Sequence, residues 1–600
     1  MLGLEGSRNR TAVWGGRLAS AACLAALIIS GGGSGVARNA RQVAKAQENA
    51  GGGDEESDNG VYLPTDRLTE RRLEIARRLV ADARWSDAAT LLDEILATDR
   101  DSFFKRDADA ATWQSVKVEA ASLIAGLPQA GREAYLLQFR ARAERLVAEG
   151  IATGDGQAVA MVARRWPSTP AGQRATMLAA LAALEDGQAL AAAAWLDRLH
   201  AANAADFEPT LSVMRAVAWQ RAGNPQAAAT ILDAARTGKG TSVRIAGRDV
   251  TMSFAPGRGL EWLAGQVGEP PQSAGRAAVE WRMHRGDAAR NAVVAASRPL
   301  LVPRYRVPLT RHPEEGRWLE SRRRQAADRE APLLPAAMPL AVNGTVVLHT
   351  PMGLLAVDFE TGKRLWLQTG GAAAPVTDAG GAMADGEEPI VTGDVVHHRT
   401  LAPVFDDATS GSLASDGRLV FAVESHPDAL VSRDGGDPQM RIPGQIRMLG
   451  AGNGSPGGWN GGNVLAAYDL ADRGRLRWRL PTAEAANDVA SAAWKLGPPL
   501  PIGDRLFLLV EERGEVRIDV LDAATGSAIW SQPLAELDEE KRVDNRDNQP
   551  RRVAGLTPAL AEGVLVCPTG AGAVVAVDLA TRTLLWAYNY PTAAAEDADV

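Results

Sequence analysis

The chain has 600 residues, of which 46% are hydrophobic and 23% charged, with a formal net charge of −8. That length exceeds what one hydrophobic core fills, so two or three domains are expected. The acidic balance excludes a uniformly basic nucleic-acid-binding surface, and after the N-terminus no apolar run reaches the roughly 18 residues that span a bilayer.

The first 37 residues have the layout of a secretory signal. Arg8, Arg10 and Arg17 precede the apolar run Leu18 to Ile29, and small residues follow from Ser30 to Ala37. Gly35 and Ala37 suit the −3 and −1 positions of a cleavage site, and an uncleaved run would be a short membrane anchor. The protein is therefore expected to be exported, to the periplasm or cell envelope. Of the two cysteines, Cys23 lies within the signal and Cys567 follows the apolar run Gly563 to Val566. Cleavage leaves Cys567 alone, which excludes an intrachain disulfide and reads as a small core residue. Residues 38–64 are polar and glycine-rich, as a disordered linker is.

Residues 65–238 predict helices, being rich in Ala, Leu, Arg and Glu. Leu73, Ala76, Leu79 and Val80 share one helical face. Trp85–Ser86–Asp87 breaks the run, with Ser86 as an N-cap, and Ala88, Leu91, Leu92, Ile95 and Leu96 form a second stripe. The helix–turn–helix form recurs around Asp186–Gly187 and around Gly223–Asn224–Pro225, where Pro225 suits a first helical turn. These hairpins resemble tetratricopeptide-type repeats in form, with irregular spacing, and imply a stacked α-solenoid. Residues 239–278 mix Val243–Arg244–Ile245 with Gly and Pro, and read as a bridging segment against the solenoid end.

From 279 to 600 strand-like segments dominate and a motif repeats. Its four copies run from Asp358 through Gly362 to Trp366, from Asp469 to Trp478, from Asp522 through Gly526 to Trp530, and from Asp578 to Trp586. In each, an Asp ends one strand and accepts a backbone N–H, a Gly where present reverses the chain at positive φ, and a Trp on the next strand offers a large packing face. Trp366, Trp530 and Trp586 are expected to be largely buried between blades. Each copy also has an upstream strand: Gly344 to Leu348, Arg418 to Val423, Arg505 to Val510, and Gly563 to Val566. The last three tryptophans recur at intervals of 52 and 56 residues, the length of a four-stranded blade.

These copies resemble the pyrroloquinoline-quinone (PQQ) type β-propeller repeat of quinoprotein dehydrogenases and of the outer-membrane assembly propeller lipoprotein. Trp281 to Asn291 is similar to the entry segment of such propellers, and Arg298 to Val307 to the strand after it. The resemblance implies an all-α solenoid followed by an all-β propeller. Four clear copies, against the seven or eight blades usual in that family, point to an incomplete or open propeller. Trp366 and Trp478 are 112 residues apart, so the second blade carries a long insertion over about 370–460.

The quinone chemistry that the resemblance brings with it lacks its residues here. Those dehydrogenases hold an adjacent cysteine pair at the quinone, and this chain has none. Gly452–Asn453–Gly454–Ser455–Pro456–Gly457 matches a dinucleotide-binding string but is followed by more glycine rather than a helix, and reads as a loop. His397 and His398 lie near Asp406 and Asp407, but neighbouring strand residues face opposite sides and do not share one metal. Asp544, Asn545, Asp547 and Asn548 lack the glycine and glutamate spacing of a calcium loop. Arg322–Arg323–Arg324 is surrounded by Glu314, Glu315, Glu320 and Glu330 and reads as a solvated face. The expectation is thus an exported, non-enzymatic scaffold with no catalytic, cofactor or metal residues. It would bind other envelope proteins through the helical groove or the insertion, with a quinone- or calcium-dependent oxidoreductase as the alternative.

Overall fold

The N-terminal helices begin where local chemistry allows. Asp66 caps α1 (Arg67–Ala81), accepting the Leu68 amide at 3.0 Å, and Leu73 and Ala76 form its buried face. The break before α2 (Trp85–Leu96) falls at Asp82–Arg84, with Ala83 at φ 58°, so Ser86 lies inside the first turn of α2 rather than capping it. Next come α3 (Val116–Ala125), α4 (Gln129–Thr153), α5 (Gly156–Arg165), α6 (Pro170–Glu185), α7 (Ala189–Ala201), α8 (Thr210–Arg221), α9 (Pro225–Arg236) and α10 (Gly259–Val267). Thr169 caps α6 with Pro170 in its first turn, and Pro225 opens α9. From α4 onward each helix packs on the next in sequence, around a core that includes Tyr135, Trp166, Leu196, Leu211 and Leu232. Gly259 of α10 lies against Leu232 of α9, which docks the bridging region on the end of the helical stack.

This computed structural model describes residues 61–106, 112–202, 204–236, 242–245, 247–268, 280–293, 302–310, 313–330, 333–368, 403–424, 463–481, 493–537 and 550–590. The signal, the paired histidines, the Gly452–Gly457 string, Asp544 to Asn548 and most of the insertion lie outside the described residues. The described residues fall in one compact unit. Among the described residues no helix is long and apolar enough to cross a membrane.

The later sequence folds into four antiparallel meanders. The first holds strands Leu340–Val342, Thr345–Thr350, Gly353–Asp358 and Arg364–Gln368. The second holds Leu413–Ser415, Leu419–Glu424, Val464–Asp469 and Arg475–Leu480. The third is built on Leu500–Ile502, Arg505–Glu512, Glu515–Asp522 and Ala528–Leu537, with Trp494–Lys495 also pairing to its second strand. The fourth holds Ala559–Ala561, Val564–Pro568, Ala573–Asp578 and Leu584–Asn589. Several hairpins close on two positive-φ residues, as at Asn343–Gly344 (49° and 71°) and Arg513–Gly514 (53° and 81°), whose twist matches that of the strands. Consecutive meanders share apolar cores: Leu354 and Val420 between the first and second, Phe421 and Leu508 between the second and third, Ile518 and Val575 between the third and fourth. Cys567 is buried in the last of these, and burial pushes its thiol pKa up.

Two features depart from the sequence reading. Pro313–Asp328 is a helix with no buried residue, which begins on a proline and two glutamates; Arg324 and Glu320 pair at 3.3 Å on its solvated side. The helical region is also not purely helical. Phe103–Phe104 and Thr112–Ser115 form a hairpin that extends the fourth meander, pairing Trp586 with Gln114 and Ala587 with Trp113. Successive strand residues face opposite sides. Phe103 accordingly enters the core of the third and fourth meanders, and Phe104 the helical core.

Candidate interaction site

The repeat residues build one turn three times, at Asp358, Asp522 and Asp578, and a longer form of it at Asp469. Asp358 accepts the amide and hydroxyl of Thr361 at 2.8 and 2.7 Å, and the Gly362 amide donates to the Asp358 carbonyl. Asp522 with Thr525, and Asp578 with Thr581, repeat these bonds within a tenth of an ångström. Hydrogen bonds from Thr361, its side chain first, hold the Asp358 carboxyl below the usual range. Asp469 sits in the longer turn. Burial raises its pKa, but the paired Arg477 guanidinium, at 3.0 and 2.7 Å, and two backbone amides outweigh that and lower it.

The aromatic of each of the first three copies lies on the turn of the next meander. A Cβ on Gly474 would come within 2.7 Å of the Trp366 ring, and one on Gly526 within 2.9 Å of the Trp478 ring. The Trp478 indole N–H donates to the Ala523 carbonyl at 3.1 Å. At the fourth turn Arg582 takes the glycine position, at φ 61°, and its guanidinium lies 5.9 Å over the Trp530 ring. Trp366, Trp478 and Trp530 are therefore half-buried lids on turns rather than largely buried wedges between sheets. The sequence reading missed the first member of the series. Tyr305 covers Gly362 and donates its hydroxyl to the Phe359 carbonyl at 2.9 Å, which is the same backbone position that Trp478 reaches in the turn of the third meander.

The outer edges of the meanders are treated unequally. Val61–Tyr62 pairs with the last strand of the third, and the Phe103–Ser115 hairpin with the last strand of the fourth. Among the described residues no strand pairs with the last strand of the first, Arg364–Gln368, or of the second, Arg475–Leu480. Both open edges carry exposed leucine beside arginine: Leu365 is 47% exposed next to Arg364, and Leu476 is 40% exposed between Arg475 and Arg477.

Two buried polar networks fix the sheets behind these edges. Glu424 accepts from the Tyr468 hydroxyl and from Arg479, at 3.3 Å in the latter case. Burial, and then the Glu424 charge, raise the Tyr468 pKa, while burial lowers that of nearby His349. Glu511, 1% exposed, binds Arg551 at 2.8 and 2.7 Å and Arg552 at 2.7 Å, and Arg552 stacks 4.8 Å over Trp494. Among the described residues no three His, Cys, Asp or Glu side chains gather where they could hold a metal ion. The residues do not fit a quinone either. The adjacent cysteine pair is missing, and Cys567 is enclosed by apolar strands.

Residues 460–598 match the PQQ_2 family, described as outer membrane protein assembly factor BamB, so the chain carries a PQQ-type repeat domain there. No curated protein matches the chain. Among solved structures, BamB from Moraxella catarrhalis is similar at 14% identity and a TM-score of 0.22, over 43% of this chain and 52% of that one. A europium-containing methanol dehydrogenase is similar at 15% identity and a TM-score of 0.23, over 42% of this chain and 41% of that one. The chain thus spans about half the length of the first and about two fifths of the second. Likenesses this loose leave fold and chemistry to be argued from the chain itself.

Proposed function

We propose that this protein is an exported, non-enzymatic scaffold of the cell envelope, whose four meanders are blades of an open PQQ-type propeller flanked by a tetratricopeptide-like helical stack. Its partners are other proteins, taken up as extended strands along the outer edges of the first two blades. The observation that carries this reading is the unequal treatment of the edges. An unpaired edge offers a row of free N–H and C=O groups, and proteins commonly cover, shorten or charge such strands. Here the third and fourth edges are covered by the chain's own N-terminal strands, and among the described residues the first and second are not. Exposed leucines give a strand from a partner an apolar contact, and Arg364 favours an acidic one, whereas Arg475 and Arg477 are paired with Asp472 and Asp469. The match of residues 460–598 to an assembly-factor family supports a binding role over catalysis.

Photo-crosslinking in the native envelope tests the proposal. A crosslinking side chain at Leu365 or Leu476 should give the same protein adducts. One at Tyr588, which is 47% exposed but lies on a covered edge strand, should not. Adducts from Tyr588 alone, or from none of the three, would overturn the reading.

A further inference from the structure

Four arginines from four separate elements converge where the helices lie against the third and fourth meanders. Arg164 comes from α5, Arg198 from α7, Arg505 from the start of the third meander's second strand, and Arg582 from the last tight turn. Sequence separation hides the grouping, which centres on the turn from Asp578 to Arg582: Arg164 reaches its Ala580 carbonyl, Arg198 its Asp578 carboxylate, and Arg582 ends it. Burial, and then repulsion from Arg582, Arg505 and Arg198, lowers the Arg164 pKa to about 9; burial and then Arg505 lower that of Arg582 to about 10.

Their partners within the chain are sparse. Arg164 Nε donates to the Ala580 carbonyl at 3.3 Å. Arg198 lies 3.7 Å from the Asp578 carboxylate, and Arg505 lies 3.6 Å from that of Asp504. Both carboxylates are already engaged. Asp578 accepts from Thr581 at 2.7 Å, and Asp504 from the Gln188 amide at 2.7 Å. Arg505 Nε is buried and has no hydrogen-bond partner, while Arg582 stacks on Trp530. Four guanidinium groups thus face two carboxylates, a surplus of two positive charges in a half-buried seam. Like charges gathered out of water are unfavourable unless something neutralises them.

We propose that this seam between the helices and the third and fourth meanders binds a phosphate group through Arg164, Arg198, Arg505 and Arg582. A dianion matches the surplus charge. The planar fork of each guanidinium fits a tetrahedral oxyanion through paired N–H donors. The Arg198 and Arg505 side chains, 34% and 30% exposed, leave the seam open to solvent. Because the four groups belong to both layers, bound phosphate also fastens the helices to the sheets.

The test is calorimetric titration of the full chain with inorganic phosphate and, separately, with glycerol 3-phosphate, against chloride at matched ionic strength. Tighter binding of inorganic phosphate assigns the free ion, and tighter binding of glycerol 3-phosphate an organic phosphomonoester. Arg582→Gly is the first variant. Glycine already occupies the equivalent turn position at Gly362 and Gly526, so the turn is preserved. It should weaken phosphate binding at least about ten-fold, as should Arg505→Gln, which leaves the turn untouched. Melting in chloride checks that both variants are folded. Absence of phosphate binding by the wild type, or wild-type affinity in both variants, would overturn the proposal.

Discussion

Replacing Gly526 with alanine tests whether the repeat tryptophans act as lids on their neighbours' turns. Gly526 sits at φ 75°, where a side chain costs about 1–2 kcal/mol. Its new Cβ would also stand 2.9 Å from the Trp478 ring, closer than carbon atoms tolerate, so the indole must move. Moving it endangers the N–H bond to the Ala523 carbonyl, at 3.1 Å, worth about 1 kcal/mol. Together these terms give about 2–3 kcal/mol. Gly344→Ala is the control. It has a similar φ of 71° but no atom within 4 Å of the added Cβ, so it should lose only the conformational part. Urea unfolding of both variants, each also made in a Trp478→Ala background, gives the coupling directly. With the indole gone, Gly526→Ala should fall to the cost of Gly344→Ala. Equal losses at the two glycines in the wild-type background, with no coupling to Trp478, would refute the lid.

The other outcomes concern buried charge. Glu511→Ala removes the shared partner of Arg551 and Arg552 from a site that is 1% exposed, and should destabilise the third and fourth meanders by about 3–5 kcal/mol in urea unfolding. His284 governs part of the acid response. Burial, and then Arg290 and Arg285, lower its pKa from 6.5 to about 4. The unfolded chain therefore takes up a proton on this residue before the folded chain does, and stability present above pH 6.5 is lost as the pH falls toward 4. At about 1.4 kcal/mol per unit, and for a half-buried ring, the loss is at most about 3 kcal/mol. The urea midpoint of His284→Gln should drop less than that of the wild type between pH 7.5 and 5, and equal drops would refute the assignment.

What the sequence disclosed follows the range of each interaction. The repeat turn is local: Asp358, Thr361 and Gly362 meet within five residues and make their bonds to one another, so the pattern is visible along the chain. The lid over that turn is not local. It needs an aromatic ring from the preceding meander but not a tryptophan, and Tyr305 does the work of Trp478 with a hydroxyl in place of an indole N–H. Arg582 likewise stands, at φ 61° and against the Trp530 ring, where the first and third turns have glycine. The helical stripes were legible from their period, but the Phe103–Ser115 hairpin among them was not. Its partner strand, Leu584–Asn589, lies at the other end of the chain. The only local signal was β-forming residues, Phe103–Phe104 and Thr112–Trp113, where the pattern otherwise predicted helix.

That hairpin changes what the helical region is for. A free-standing solenoid would offer its groove to partners, as the sequence alone suggested. Instead Asp101, beside the hairpin, accepts the Leu584 amide at 2.9 Å, and its own amide and carbonyl pair with the Gln532 side chain at 3.0 Å each. Gln188 at the head of α7 reaches Asp504, and Gly503 and Gly563 lie against Gln188 and Ala194. The helices are thus fastened to the third and fourth meanders through backbone groups and close glycine contacts, which a passing partner could not displace without unpairing a sheet. A surface spent in this way serves assembly of the chain itself. The proposed recognition therefore centres on the edges of the first and second meanders, where, among the described residues, the chain supplies no strand of its own.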